Sequence, residues 1–486
     1  LHLLSRRQRQ MCIRDSAKPQ FSPRFGFNYK PFDDENGSLQ IRGGTGLFTG
    51  TPPYVWISNQ AGNNGVLFGD LNVRAVKDKN DNIISDGRPS LGFTGNMDTY
   101  KPAEGSATRS DIAITDPDFK YPSLWKSNIA ADYKFGDGWV ATVELLYSKD
   151  INAIYHDNIG LYRTEQFVND GGAGNARPYY NGYYSDREGN QKAANHVVML
   201  RNTSKGHSLY TTFQLQKNFV DGILKGLYLN GSYSFGQSRG VTDGTSSVAT
   251  SAWKYRAALD GNAEEVGYTA GSFDGRLLLS ASYTANWSKY AATSFGLIYQ
   301  RYRPFRYSYC YNGDANGDSQ FSNDLMYIPA NFDEVKDHLL PGDFDSQEDA
   351  WKAMNAFIEQ DPYLSKHRGE YAERNGAVAP FANQLDLSVS HDIKIYQKNG
   401  RSHTLRFSFN IANFLNLLNR NWGVVQTTVL GNQQYQFLTI PKGQGPSAAN
   451  NYTLKYTMAK DLDETFKDNL NDVSRWQMQF GIKYIF

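Results

Sequence analysis

The chain has 486 residues, with 50 basic and 49 acidic side chains, a formal net charge of +1 and 14% aromatic residues. This charge balance gives no basic surface for nucleic acid, and the two cysteines, Cys12 and Cys310, are too few for a disulfide framework or a cysteine-rich metal site. The mean hydropathy is −0.58 and no apolar run reaches about 18 residues, which excludes a membrane-spanning helix but not strands that alternate apolar and polar side chains.

Residues 1–16 differ in character from the rest of the chain. They have the sequence LHLLSRRQRQMCIRDS, which is basic and has neither the apolar core nor the small-residue cleavage site of a signal peptide. The composition changes abruptly at Ala17, and the stretch resembles translated adapter sequence at the ends of metagenomic fragments. We therefore expect residues 1–16 to be non-native, with a natural basic tail as the alternative, and residues 17–486 to form the fold.

Apolar and polar side chains alternate with a period of two in many segments of the chain. Examples are residues 139–148, 227–236, 277–287 and 405–411. Helical periodicity cannot generate such runs. Most of these segments have about ten residues or more, whereas soluble strands usually have about five or six. The pattern predicts an all-β fold, an antiparallel transmembrane β-barrel of the bacterial outer membrane.

The connections between these strands alternate between short and long. Short polar turns are expected at 33–38, 136–138, 220–225, 288–289, 397–402 and near 430–434, and long loops at 50–121, 151–205, 238–271, 303–380, 415–421 and 441–473. Short turns of bacterial barrels face the periplasm and long loops face the outside. The C-terminus is therefore predicted at the periplasmic rim. The strands number about thirteen, an odd number in a class that is usually even, so we expect the barrel to be incomplete at its N-terminus.

The last strand has a strongly one-sided pattern. Six apolar side chains share one face: Trp476, Met478, Phe480, Ile482, Tyr484 and the terminal Phe486. The strand resembles the C-terminal signal that the barrel-assembly machinery recognises in outer-membrane proteins. The alternative is the last amphipathic strand of a soluble β-sandwich, which the strand lengths argue against.

Several short motifs occur in an order that resembles a known family, the TonB-dependent transporters of Bacteroidota, Oar-like branch. They are FSPRFGFN at 21–28, LQIRGGTGLFTG at 39–50, YVWISNQ at 54–60, DPDFKYPSLW at 116–125, NGDANGDSQFSNDLMYIP at 312–329, GEYAERN at 369–375, NQLDL at 383–387 and NIANFLNLLNRNWG at 410–423. The resemblance implies a barrel of about 22 strands around a plug, energised by the TonB complex of the inner membrane. It also implies that the plug, the TonB-contacting segment and about nine strands are missing here.

Import of a bulky nutrient is the leading functional hypothesis, because the resemblance implies it. The nutrient would be an oligosaccharide, a peptide or a metal chelate, and a surface lipoprotein is a possible partner. The alternative is an adhesion or receptor barrel without transport. An outer-membrane hydrolase is a distant third, since the sequence has no nucleophile elbow, no HExxH motif and no Cys/His ligand set.

An acidic run in the longest loop has the spacing of a calcium loop. Asp314, Asn316 and Asp318 place oxygens at positions one, three and five, Gln320 would add a backbone carbonyl, and Asp324 could complete the set. The run departs from the EF-hand template, because Ser319 replaces the expected glycine and Leu325 the expected glutamate. The alternative is a turn whose side chains bond to their own backbone. We expect no other cofactor.

Two groups of aromatic residues lie near the predicted strand tops. The tyrosines of the loop RPYYNGYYSD, Tyr179, Tyr180, Tyr183 and Tyr184, would either contact substrate or pack the loop. The second group is predicted to form an interfacial girdle, with contact to substrate as the alternative: Tyr302, Phe305, Tyr307, Tyr309 and Tyr311.

The longest loop also contains a helical pattern. The sequence of residues 346–360 predicts a short helix with Ser346 as its N-cap, and we expect this helix to pack over the barrel mouth.

Overall fold

The computed structural model describes residues 19–35, 37–63, 76–77, 83–84, 111–168, 170, 177–183, 196–244, 246–396, 402–430, 434–446, 452–458 and 464–486. Its main feature is a twelve-stranded sheet, in which eleven long antiparallel strands neighbour one another in chain order. The long strands are β1 (Arg24–Asp34), β2 (Gly37–Thr49), β3 (Ser123–Phe135), β4 (Trp139–Asp150), β5 (Gly206–Asn218), β6 (Leu227–Gly240), β7 (Arg276–Ser288), β8 (Ala291–Tyr302), β9 (Ala382–Tyr396), β10 (Ser402–Ala412) and β11 (Gln477–Ile485). The short strand Gly267–Tyr268 pairs with the end of β6. The sheet is not closed, and within the described residues β1 and β11 are its edges.

The sheet has an apolar face and a polar face, as the alternation predicts. Leu145, Phe213, Phe295 and Phe480 point to the apolar face and are 39% to 66% exposed. The polar face carries hydrogen bonds between neighbouring strands, such as Gln214 Nε2 to Asn230 Oδ1 at 2.6 Å and the Thr284 and Ser294 hydroxyls at 3.0 Å. It also carries ion pairs, such as Arg406 to Asp392 at 2.6 Å. An exposed apolar face opposite a polar one is the arrangement of a barrel wall in lipid.

The short turns occur at one end of the sheet, and the turn between β3 and β4 shows why they are tight. Gly136 and Gly138 have φ values of +50° and +82°, which side chains rarely tolerate. Beside this turn the rings of Tyr133, Phe135 and Trp139 stack, with centroids 5.2 and 6.3 Å apart. Aromatic rings at strand ends are typical of the interfacial girdle.

The predicted pair of wall strands around residues 430–434 is wrong. Residues 413–476 form one connection between β10 and β11, and their short strands pair with other loop segments instead of with the wall. The physical reason is burial: Tyr435, Phe437 and Leu438 are all at most 1% exposed, whereas wall strands alternate between two environments. The long wall strands of the described residues therefore number eleven instead of the predicted thirteen or so, and β11 still ends at the short-turn side.

The long connections fold together at the other end of the sheet, and we call their described parts the loop layer. Its short strands are Val76–Lys77, Ile83–Ile84, Ile112–Thr115, Ala153–Asn158, Leu161–Val168, Arg177–Tyr183, Val197–Thr203, Arg306–Tyr309, Tyr327–Ile328, Leu339–Leu340, Glu370–Tyr371, Ala377–Val378, Gln426–Thr428, Gln434–Tyr435, Leu438–Thr439, Leu454–Tyr456 and Phe466–Asp468. Its helices are α1 (Tyr54–Gly62), α2 (Ala249–Lys254), α3 (Gln347–Gln360) and α4 (Phe414–Leu418), with 3-10 turns at Phe332–Glu334, Leu364–Lys366 and Asp472–Ser474. None of the described helices is long and apolar enough to cross a membrane.

Two buried clusters hold the loop layer together. The larger contains 28 buried residues from several connections, among them Tyr309, Met354 and Phe357. The smaller is built around Trp253, which is fully buried, and Tyr180. The loops therefore form a packed layer with a core of its own, beyond the wall strands.

The predicted helix in the longest loop is confirmed as α3. The hydroxyl of Ser346 accepts a hydrogen bond from the backbone N–H of Asp349 at 3.0 Å and donates one to its carboxylate at 2.7 Å. The apolar side of the helix buries Met354 and Ile358 in the larger cluster. The cap and the apolar stripe together explain why the helix begins and packs where it does.

Replacing Ser346 by alanine should lower the free energy of unfolding of the loop layer by about 1 kcal/mol, because the first turn of α3 loses its side-chain acceptor. Hydrogen exchange at the first-turn amides of α3 measures the effect. The control is Ser58→Ala, an exposed serine within α1 whose hydroxyl donates to Val55 O at 3.0 Å. It should change stability by less than about 0.5 kcal/mol. Equal changes in the two variants would contradict the capping role.

Candidate functional site

The predicted site residues lie in the loop layer, where a hairpin from one connection meets the acidic loop of another. The loop tyrosines belong to the strand Arg177–Tyr183, which pairs with Leu161–Val168. The acidic loop at 314–324 packs directly against this hairpin, because the backbone N–H of Tyr180 donates to Asn316 O at 2.7 Å. The structure thus brings together two groups of residues that are more than 130 positions apart in the sequence.

The loop tyrosines are mostly engaged within the protein. Tyr179 is 7% exposed and Tyr180 is 2% exposed. The Tyr180 hydroxyl donates to Asp260 Oδ1 at 2.7 Å, and the ring of Tyr183 lies edge-on to His196 with centroids 5.3 Å apart. This geometry gives Tyr179 and Tyr180 a packing role. Contact of these tyrosines with a substrate stays a prediction, and Tyr184 lies outside the described residues.

The predicted girdle role is wrong for three tyrosines of the second aromatic group. Tyr307, Tyr309 and Tyr311 are at most 1% exposed and belong to the larger buried cluster of the loop layer. The ring of Tyr309 stacks on Tyr363 with centroids 5.9 Å apart. Because the other members of this cluster surround these rings, lipid headgroups cannot reach them.

The acidic loop is a series of turns closed by its own side chains. Asp314, Asn316 and Asp318 each accept a hydrogen bond from the backbone N–H two residues further on, at 3.2, 2.9 and 2.8 Å. Asp324 accepts another from the N–H of Ala315 at 2.8 Å. These are the contacts expected of the self-bonded turn, one of the two alternatives for this run.

Burial and mutual repulsion dominate the electrostatics of this loop. Asp318 is fully buried, and its burial, together with the charges of Asp324 and Asp314, raises its pKa well above the ordinary range. Burial also raises the pKa of Asp324, which the neighbouring Arg177 opposes. The folded loop therefore favours the protonated form of the Asp318 carboxyl.

The stability of this loop should rise as the pH falls. The pKa of Asp318 is higher in the folded than in the unfolded protein, so its favourable contribution is present at low pH and is lost as the pH rises through the folded-state pKa. Hydrogen exchange at residues 314–325 between about pH 5 and pH 8 measures this. Asp318→Asn should reduce the dependence and stabilise the loop at pH 7, while Asp314 and Asp324, whose pKa values burial also raises, should retain part of it. Asp343→Asn, whose side chain is 78% exposed, is the control, and an unchanged pH profile in Asp318→Asn would contradict the assignment.

Arg177 is the residue at this site that sequence reasoning missed. Its side chain is fully buried, and Nε donates to Asp170 at 3.0 Å while Nη1 donates to Asp324 at 3.1 Å. The remaining Nη2 bonds to the carbonyl of Leu325. The guanidinium also lies 5.6 Å from the ring centroid of Tyr311. Arg177 therefore joins the hairpin of one connection to the acidic loop of another.

A protein-family comparison decides the class of the chain. A family model described as an outer membrane beta barrel domain matches residues 5–447. The chain belongs to the outer membrane beta barrel domain family. The apolar face of the sheet therefore faces outer-membrane lipid, and the predicted fold class and location are confirmed. The apolar side chains of the last strand, Trp476 to Phe486, lie on this lipid face and are 43% to 92% exposed.

Two solved structures of transporters are similar at low identity. The outer membrane transporter YddB from Escherichia coli has 9% identity and a TM-score of 0.36, over 92% of this chain and 38% of YddB. The FrpB iron transporter from Neisseria meningitidis, F3-3 variant, has 8% identity and a TM-score of 0.29, over 80% of this chain and 39% of FrpB. The chain spans well under half of the length of either transporter. No curated protein sequence matches it.

The structure brings the five predicted calcium ligands into one loop of this barrel protein. Three of them use side-chain oxygens to accept backbone N–H groups, as described above. In the part of the chain that the structure describes, no group of three or more His, Cys, Asp or Glu side chains is placed to hold a metal ion. Calcium binding by Asp314, Asn316, Asp318, Gln320 and Asp324 stays a prediction.

Proposed function

We propose that the protein is part of an outer-membrane transporter that imports a bulky nutrient with energy from the TonB complex. One observation carries this proposal: the barrel wall has a polar face, and a packed loop layer lies at its outer end. The polar face can line a path for a hydrophilic solute, and the loops can form the surface that first meets it. The resemblance to the Oar-like branch of the Bacteroidota transporters supports the same function.

We propose the remaining partners on the same basis. The exposed C-terminal strand would be recognised by the barrel-assembly machinery. The TonB complex would act through the plug and TonB-contacting segment that the resemblance implies, and a surface lipoprotein could cover the loop layer. The nutrient would be an oligosaccharide, a peptide or a metal chelate, and no catalytic step is required of this chain.

Uptake by living cells tests the proposal. Cells with and without the gene would be given a labelled oligosaccharide, a labelled peptide and an iron chelate, each also after removal of the TonB complex. Loss of uptake of one of these in both the gene deletion and the TonB deletion is the expected result. If cells took up all three compounds equally with and without the gene, the import proposal would be overturned. Surface binding of one compound that depends on the gene but never leads to uptake would favour the adhesion or receptor alternative.

Calcium binding is proposed for the acidic loop and is tested separately. Extracellular calcium modules bind with dissociation constants of about 0.1–1 mM, so we expect calcium at about 1–10 mM to slow hydrogen exchange at residues 314–325. Because calcium binds deprotonated carboxylates, the protection should increase with pH. Magnesium is the control ion, and Asp314→Asn should remove the effect. Identical exchange with and without calcium at pH 8 would refute the site.

A further inference from the structure

A cavity of about 220 Å³ lies where the polar face of the wall meets the loop layer. Its walls come from the outer ends of β3 to β6 and from loop strands that rise above them. At about 30 Å³ for each water molecule in the liquid, it has room for roughly seven waters, so it suits a ligand of monosaccharide or dipeptide size. The lining includes Ser148, Asp150, Thr203, Ser208, Ser238 and Thr242.

Three serines stand side by side on one wall of this cavity. Ser208 of β5 pairs with Ser148 of β4 on one side and with Ser238 of β6 on the other. Paired residues of neighbouring antiparallel strands point to the same face, so the three hydroxyl groups form a row. Each hydroxyl can donate and accept, which suits a ligand with several polar groups.

Asp150 adds a carboxylate to the lining of the cavity, where the basic groups of Lys149 and His207 lie close enough to interact with its charge. Lys149 and Arg239 are bonded to other groups: Lys149 Nζ donates to Ser204 O at 2.7 Å, and Arg239 pairs with Glu373 at 2.8 Å. The Arg239 guanidinium also lies 4.1 Å from the ring centroid of Tyr268. No ion pair to Asp150 is found among the described residues, and the other titratable groups of the lining are His207 and Arg239.

A glycine keeps the Asp150 carboxylate in this position. Gly206 begins β5 beside it, and a Cβ atom added to Gly206 would collide with Asp150 Oδ2. Any side chain at position 206 would therefore displace the carboxylate. The local sequence thus leaves room for an acidic group at the edge of the cavity.

We propose that this cavity binds a primary ammonium group on a small polar body, with Asp150 as its charge partner and the serine row as its hydrogen-bonding wall. An amino sugar and the N-terminus of a peptide both carry this chemistry. The role of this binding in the cell rests on the proposed uptake function, whose substrate class it narrows to compounds with a primary ammonium group. Binding itself needs no energised membrane.

Equilibrium dialysis of the purified full chain in detergent tests the proposal. The probes are labelled glucosamine and diglycine, each compared with its N-acetylated form, which has the same body without the charge. We expect the ammonium form of at least one probe to bind about tenfold or more tightly than its acetylated form, a factor that corresponds to about 1.4 kcal/mol. Asp150→Asn should abolish that preference, and Gly206→Ala should weaken it. Asp221→Asn, an exposed residue in the turn at the other end of β5, should leave it unchanged.

The outcomes separate the two ligand sources and the two proposals. A preference for glucosamine alone assigns the cavity to amino sugars, and one for diglycine alone assigns it to peptide N-termini. Equal binding of the charged and acetylated forms by the wild-type chain would overturn the inference without any variant, as would a full preference in a folded Asp150→Asn protein. The purified protein could bind a probe with the expected preference while deletion of its gene leaves uptake unchanged. That result would overturn the transport proposal and leave the binding proposal intact.

Discussion

Replacing Arg177 by methionine should destabilise the loop layer by about 3–5 kcal/mol, since removing one partner of a buried ion pair leaves an uncompensated buried charge. Here two carboxylates lose their partner at once, because Asp170 and Asp324 both bond to the same fully buried guanidinium. Methionine fills a similar volume, so the loss is electrostatic and not the result of a large cavity. The expected result is a loop layer that opens while the wall strands keep their hydrogen-bonded pairing.

Limited proteolysis and hydrogen exchange at residues 306–328 would measure this loss. Arg163→Met is a matched control, because Arg163 also pairs with an aspartate, Asp260 at 3.2 Å, but its side chain is 53% exposed. Solvent screens this half-exposed guanidinium, and the buried Asp260 keeps the hydrogen bond from the Tyr180 hydroxyl, so the loss should be about 1 kcal/mol or less. Similar losses in the two variants would mean that the Arg177 pairs do not hold the loops together. Slower exchange in Arg177→Met than in the wild type would contradict the argument outright.

The wall of the barrel is predictable from the sequence because its signal is local. A strand between lipid and a polar interior must alternate, and each such strand ends at a short polar turn or at a long loop. The turn expected at 136–138 lies between Phe135 and Trp139 in the structure, and the long strands pair in the predicted chain order. The direction of the chain and the position of the last strand follow from the same rule.

The loop layer is not predictable in this way, because its contacts are distant in the sequence. Arg177 and Asp324 are 147 positions apart, and neither residue has a local pattern that points to the other. Alternation also misleads there: Arg306–Tyr309 is buried on both sides, so a period of two carries no information about lipid. The same ambiguity produced the two wall strands predicted around 430–434 and the girdle role of Tyr307, Tyr309 and Tyr311.

Some features of the loop layer were nevertheless predictable, namely those set by adjacent residues. The helix α3 and its cap at Ser346 follow from a capping residue and an apolar stripe. The acidic loop could be located from its spacing, but whether its oxygens serve the backbone or a calcium ion depends on surroundings that the spacing does not encode. The cavity beside Asp150 depends on strand register and loop packing together, so no local sequence pattern indicates it.

Replacing Asp361 by alanine should also open the loop layer, with a loss of about 3 kcal/mol or more. The carboxylate is fully buried at the end of α3 and accepts four hydrogen bonds. Two come from the hydroxyls of Tyr309 at 2.6 Å and Thr465 at 2.7 Å, and two from the backbone N–H groups of Tyr363 and Leu364, both at 2.9 Å. Each buried donor left without a partner costs about 1–3 kcal/mol, and these costs are only partly additive.

Thermal unfolding followed by tyrosine fluorescence should order three variants by the acceptors that each one loses. Asp361→Ala removes every acceptor, whereas Asp361→Asn keeps one oxygen and should cost less. Asp343→Ala removes an exposed carboxylate that pairs with Lys455 at 3.1 Å and should change stability by about 1 kcal/mol or less. If Asp361→Ala were no more harmful than Asp343→Ala, its four hydrogen bonds would contribute little and the larger buried cluster alone would hold the loops. The predicted order therefore distinguishes a loop layer fixed by a buried polar centre from one fixed by apolar packing.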